Sequence, residues 1–239
     1  MRNAYAGLNA GGFTIRFPGV KPQRAHRKRV RTYNVPGHAH FLTFSCYRRL
    51  PLLTNDRWRV WLGKAVTQAC LKHDFALWAY VFMPEHVHLL VKPYATVYDL
   101  AAFRRGLKQS AAKRVINHLK AERAPLLERL RVLERPGKWC YRFWQEGPGH
   151  DKNIWNLAKA IGKAAYCHRN PVERGLVREP EQWRWSSYRW LEWGTHEGEP
   201  LKVDAWDEGL RDDPDGEALA AYSRSQWHQF LEGARRSEG

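Results

Sequence analysis

Residues 75–93 read FALWAYVFMPEHVHLLVKP, and no other stretch constrains the fold of this chain as strongly. Two apolar runs, 75–83 and 86–91, flank Pro84–Glu85. Runs of this length, bounded by a turn signal, suit buried central strands of a sheet paired through a tight connection. His86 and His88 interrupt the second run. Alternation along a strand sends both imidazoles to one face, about 7 Å apart along the chain. Without partners, two imidazoles in an apolar run would cost free energy. Two neutral imidazoles on one face can bind a divalent metal, given a third ligand from another element. On spacing alone, a pair of ordinary sheet histidines remains the alternative. A second pair, His38-Ala39-His40, follows a Pro-Gly turn at a strand entry and is the weaker candidate.

The flanking segments suggest how such a sheet is completed. HFLTFSCY (40–47) alternates and is aromatic-rich, as a strand is. Residues 56–73 place Val60, Trp61, Ala65 and Ala69 at helical spacing, with Asn55 or Asp56 to cap the start. Residues 97–120 predict a long helix whose polar side is basic: Arg104, Arg105, Lys108, Lys113 and Arg114. The stretch 121–140 is charged, and Pro125 and Pro136 limit its helices. CYRFWQEG (140–147) reads as another strand. Residues 155–169 predict a helix that must end near Asn170, because Pro171 follows. The order strand, helix, strand–strand, helix, strand, helix describes an α+β sandwich, a small antiparallel sheet with helices packed on it.

The chain has 239 residues, 44% of them apolar, which fits one domain with additions. Its formal net charge of +16 points to a polyanionic partner, nucleic acid before an anionic membrane surface. The charge is uneven. Residues 1–31 carry 8 basic side chains and no acidic one, whereas residues 195–239 hold 5 basic and 11 acidic. A basic, poorly ordered arm over 1–35 is expected, with Arg27, Lys28 and Arg29 available to phosphates. The main domain is expected over 36–194, and an acidic appendage over 195–239. No apolar stretch is long enough to span a membrane, and no secretory leader is evident. The four cysteines, Cys46, Cys70, Cys140 and Cys167, form no Cys-x-x-Cys pair and read as reduced thiols of a cytoplasmic protein.

Tyr166 and Asn170 are four residues apart and share one face of the last predicted helix. His168 points elsewhere. A tyrosine hydroxyl can attack phosphorus, but its solution pKa near 10 means that it needs help from a metal-polarised phosphate or a base. Nothing in the helix alone selects Tyr166 among ten tyrosines.

Four blocks in order select it. HAHFLTFSCYRRLPLL (38–53), VFMPEHVHLLV (81–91), FWQEG (143–147) and YCHRNPVERGLV (166–177), followed by WRWSS (183–187), resemble the single-tyrosine HUH transposases of the insertion-sequence-200 type. Within that type the pattern is nearest to the REP-associated tyrosine transposases. The resemblance covers about residues 38–190. It implies a ferredoxin-like, RRM-like fold with the HUH motif on a central strand. It implies Mg²⁺ or Mn²⁺ held by His86, His88 and Asn170, and Tyr166 as nucleophile. The implied reaction is transesterification of single-stranded or hairpin DNA through a 5′-phosphotyrosine, leaving a free 3′-OH. It also implies a monomer rather than a homodimer. Basic residues of helix 97–120 and of the arm would hold the DNA backbone. Exposed tryptophans such as Trp183 and Trp185 could stack on bases, although a core or clamp role suits them better. Cys167 stands where the family often has isoleucine. The alternatives are a domesticated, non-catalytic hairpin-DNA binder and an RNA-binding RRM-like module, which lacks its RNP1 signature here. A zinc hydrolase is disfavoured by the absence of His-Glu-x-x-His.

Overall fold

The computed structural model describes residues 33–194 and 200–206. In chain order it contains β1 (Ala39–Ser45), α1 (Asp56–His73), β2 (Phe75–Phe82), β3 (His86–Pro93) and α2 (Leu100–Ala121). These are followed by α3 (Leu126–Arg129), β4 (Arg131–Arg135), β5 (Lys138–Tyr141), β6 (His150–Ile154), α4 (Leu157–Glu173) and α5 (Tyr188–Trp193). The order β2-β3-β1-β6 makes one antiparallel sheet, and β4 with β5 makes a separate hairpin. This is the split βαβ arrangement expected of the α+β sandwich, with β3 in the sheet interior.

Local chemistry sets the element ends. Asn55 accepts from the Trp58 amide and starts α1, and Asp74 closes it in the left-handed conformation with φ 59°. Asp99 and Asn156 cap α2 and α4 in the same way as Asn55. The sheet then separates its side chains by alternation. Leu42, Phe44, Val87, Leu89 and Val91 meet Leu62, Val66, Phe103 and Leu107 of α1 and α2. On the other face Phe41, Val81 and Leu90 meet Ile161, Ala164 and Ala165 of α4. The HUH histidines belong to this second face. The basic helix α2 therefore lies across the sheet from them.

Several expectations change. α4 does not stop near Asn170 but runs through Pro171 to Glu173. The ring removes the donor that would serve the Cys167 carbonyl. The helix ladder resumes at once, with the Arg174 amide donating to Asn170 at 3.1 Å, and Pro171 is buried. The strand expected over 140–147 is short: β5 ends at Tyr141, and Trp144 makes only an isolated bridge to Cys46. The charged stretch 121–140 contributes the β4–β5 hairpin, and the polar segment HDKNI forms the edge strand β6.

β2 is buried along its whole length although it lies at the sheet edge. Later chain covers it: Phe82 donates to the Trp185 carbonyl, Ser187 to that of Tyr80, and Asp204 to that of Leu77. Such cover removes an exposed edge. Trp185 is buried, Trp183 is half-buried, and the Arg59 guanidinium sits 5.4 and 5.1 Å from their respective rings. Both tryptophans are parts of a clamp. Leu201 and Val203, from the acidic segment, are buried in the core, and Trp206 stacks on Trp78. The packed unit thus continues past residue 194. The arm residues Arg27, Lys28 and Arg29 lie outside the described residues. Among the described residues no helix is long and apolar enough to cross a membrane, and the four cysteines are free thiols.

Candidate active site

His86 and His88 project from β3 toward α4, and their Nε2 atoms lie 3.0 Å apart. Each ring is fixed from behind. His86 Nδ1 is 3.2 Å from a carboxylate oxygen of Glu85, which only accepts, so the proton sits on Nδ1. His88 Nδ1 is 2.7 Å from the Thr43 hydroxyl, which can accept or donate. Thr43 is opposite His88 in the antiparallel register, which is why it reaches the ring. Burial, then the neighbouring His86 and Lys163, depress the His88 pKa to about 3. Burial also lowers that of His86, against the pull of Glu85. Both imidazoles are therefore neutral near pH 7, with lone pairs that can face the same point.

Tyr166 and Asn170 complete the cleft from α4. The Tyr166 ring lies edge-on to His88, centroids 5.3 Å apart, and edge-on to Phe41 at 6.0 Å. Tyr166 is 41% exposed, so its hydroxyl end is open to a ligand while its ring is anchored. The buried Asn170 amide is 3.5 Å from His88 Nε2. A cleft of about 280 Å³ opens here, with Arg49 and Arg174 at its mouth. Glu85 holds both guanidiniums, at 3.3 and 3.0 Å. Burial would raise the Glu85 pKa, but His86 and Arg174 outweigh it and keep the carboxyl below its ordinary value.

The donor set fits a hard divalent cation. Two ligand nitrogens at right angles about 2.1 Å from one ion stand about 3 Å apart, close to the observed separation. The outer Nδ1 contacts are of the kind that orient metal-binding imidazoles. The Asn170 amide, 3.5 Å from His88 Nε2, would supply a third donor if turned to present its oxygen. Among the described residues no group of three His, Cys, Asp or Glu side chains converges. No cysteine lines the cleft, and its one lining carboxylate is that of Glu173; the thiolate-rich donor set of a structural zinc centre is not the one found here.

His86, His88, Tyr166 and Asn170 thus come together. The residues expected on α2 do not join them. Arg104 is buried and ion-paired with the buried Asp151 carboxylate at 3.6 Å. Lys108 is tied to the Gly147 carbonyl at 2.7 Å and leans on the Phe44 ring. Arg105, Lys113 and Arg114 are exposed, but on the helix across the sheet. His40 turns away from the cleft to Asp151 and Tyr98, at 3.0 and 2.8 Å. His168 is buried against the Ser187 hydroxyl at 3.0 Å. Sequence reasoning missed Thr43, Glu85, Arg49 and Arg174. Glu85 lies inside the quoted PEHVH block, and Arg174 lies one turn beyond Asn170, so both were within reach of a spacing argument.

The chain is similar to known proteins in sequence and in fold. Residues 35–131 match the model of the family "Transposase IS200 like". A Haemophilus influenzae protein assigned as a REP-associated tyrosine transposase is 26% identical over 124 residues, 52% of this chain. The chain spans 65% of that relative's length. A solved REP-associated tyrosine transposase bound to a REP hairpin shares the fold, with TM-score 0.53 and 22% identity. That match covers 78% of this chain and 95% of the other. Residues 35–131 thus carry the sequence pattern of the IS200-like transposases, and the chain is similar in sequence and in fold to REP-associated tyrosine transposases.

Proposed function

We propose that this protein cleaves and rejoins single-stranded DNA beside a hairpin, with Tyr166 as nucleophile and the reaction placed in the cytoplasm. The observation that carries this reading is the position of Tyr166. Its ring packs on His88, in the same cleft as two convergent Nε2 atoms and the Asn170 amide. His86, His88 and Asn170 would hold Mg²⁺ or Mn²⁺. When bound, the ion supplies Lewis-acid polarisation of the non-bridging phosphate oxygens.

The remaining steps belong to the chain's own groups. Thr43 and Glu85 keep the two imidazoles in register. Arg49 and Arg174, half or more exposed at the mouth, offer guanidinium donors to the phosphate. The Tyr166 oxygen attacks phosphorus. A tyrosyl P–O bond forms as the P–O bond to the 3′ oxygen breaks. The phenolic proton leaves to water, and the departing 3′ oxygen takes one up as a free hydroxyl. Attack by a 3′-OH on the phosphotyrosine reverses the sequence and rejoins strands without ATP.

The test is a denaturing gel. The full chain is incubated with Mn²⁺ and a labelled hairpin oligonucleotide from the DNA flanking its own coding sequence. The expected result is a labelled band at protein-plus-DNA mass, lost with EDTA and lost in Tyr166→Phe. Binding without a band would replace this reading with that of a non-catalytic hairpin binder. A band that persists in Tyr166→Phe would move the nucleophile elsewhere.

A further inference from the structure

A second cleft adjoins the first on the far side of Tyr166. It encloses about 300 Å³ and is lined by Phe41, Thr43, His88, His150, Lys152, Lys163 and Tyr166, with no carboxylate in its wall. Lys152 comes from the edge strand β6, opposite Phe41 in the register, and Lys163 from α4. The Lys163 ammonium lies 5.2 Å from the ring centroids of both Phe41 and Tyr166. The only acidic neighbour of Lys152 on its strand, Asp151, points to the opposite face, where it meets His40 and Arg104. The charge continues up the helix. Lys159 and Lys163 are four apart, and Tyr166 and Asn170 follow at helical spacing, so the four share one stripe. At 1.5 Å per residue the stripe runs about 16 Å from Lys159 to Asn170. At its head stands Trp155, 49% exposed, with the Lys159 ammonium 3.3 Å from its ring centroid.

Two ammonium groups beside the nucleophile, without a counter-charge in the wall, suit a second phosphate. An exposed indole further along the same stripe suits a base. We infer that Lys152, Lys163, Lys159 and Trp155 form a track for the single-stranded segment next to the scissile phosphate. Lys152 and Lys163 hold the adjoining phosphate, and Trp155 stacks on a base beyond it. The occupant is an unpaired strand rather than a duplex. A stacking face is useful only to an unstacked base, and the track leads directly from the nucleophile. The inference rests on the DNA reading above and extends it to which part of the substrate is gripped.

The experiment compares two labelled oligonucleotides by fluorescence anisotropy, in EDTA so that metal binding plays no part. One is the hairpin with its single-stranded flanks, and the other is the same hairpin with the flanks removed. For the flanked DNA, Trp155→Ala is expected to weaken binding about tenfold, the scale of one lost base stack. The double variant Lys152→Gln/Lys163→Gln is expected to lower the salt slope, log K against log salt, by about 0.7 per lost phosphate contact. Both variants should bind the trimmed hairpin like wild type, and Lys163→Arg should retain the wild-type slope. Unchanged binding of the flanked DNA, or equal weakening on both DNAs, would overturn the track while leaving the DNA reading in place. Failure of the wild-type chain to bind either DNA would overturn both.

Discussion

The Thr43 hydroxyl stands 2.7 Å from Nδ1 of His88, two residues that are 45 apart in sequence and directly opposite in the sheet. The contact couples the direction of the hydroxyl to how His88 presents its other nitrogen. A hydroxyl that accepts from Nδ1–H leaves the Nε2 lone pair free for a cation. A hydroxyl that donates to Nδ1 lets Nε2–H bridge to His86 instead. The rotatable hydroxyl serves both tautomers, which a methyl group cannot do.

Thr43→Val keeps the shape and removes the hydroxyl. Under the proposed metal role, Mn²⁺ affinity measured by calorimetric titration should fall about 10- to 100-fold, the usual cost of losing an orienting partner. Thr43→Ser should restore most of it. Equal affinity in wild type and Thr43→Val would show that the hydroxyl does not orient the ligand.

Asn170 contributes a neutral donor to the same cleft. Asn170→Ala should weaken Mn²⁺ binding, while Asn170→Asp, which adds a charge at the same reach, should strengthen it. The order Asp above Asn above Ala is the expected outcome of the titration. Any order that leaves Ala level with Asn would remove residue 170 from the ligand set.

Gly149 precedes β6 with φ at 83°, and a Cβ there would run into the Thr43 carbonyl oxygen. Gly149→Ala is both strained in the backbone and blocked in space. Unfolding by urea should show a loss of about 2–4 kcal/mol. Because Thr43 is the residue struck, Mn²⁺ affinity should fall as well.

Lys108 gives a pH signature. Burial, with the Arg104 charge second, lowers its ammonium from the ordinary 10.5 to about 8. Below about pH 8 the group is charged in both folded and unfolded chains, and the cost of burying that charge is present in full. Between about 8 and 10.5 the unfolded chain binds the extra proton, so stability from this group rises with pH. The difference in unfolding free energy between wild type and Lys108→Met should therefore shift in favour of wild type across that window. A difference that stays flat from pH 7.5 to 10.5 would contradict the lowered pKa.

Much of the frame is legible in the chain. Asn55 and the spacing of Val60, Trp61, Ala65 and Ala69 mark α1 at its observed start. The runs around Pro84–Glu85 mark β2 and β3. These are local signals, carried by capping and by periodicity within one element. β6 is not legible in that way, because HDKNI has one apolar residue and turns its polar side chains to two different faces. Its partner β1 makes it a strand. The β4–β5 hairpin is hidden similarly, since most of its residues are exposed and alternate no apolar face. The end of α4 is not legible locally, because Pro171 argues for a stop that the helix does not make. Its burial in the packed helix end outweighs the lost hydrogen bond.

Sequence alone determined that His86 and His88 share a face, because a strand alternates, and that Tyr166 and Asn170 share a face, because a helix turns every 3.6 residues. It could not determine that these two faces meet. That depended on α4 packing on the sheet face opposite α1 and α2, a choice made by complementary apolar surfaces distant in sequence. The same choice set α2 and its arginines across the sheet and brought Thr43, Arg49, Arg174, Lys152 and Lys163 around the tyrosine instead. Periodicity fixes the direction of a side chain within its own element. Only the packing of elements decides what that side chain faces.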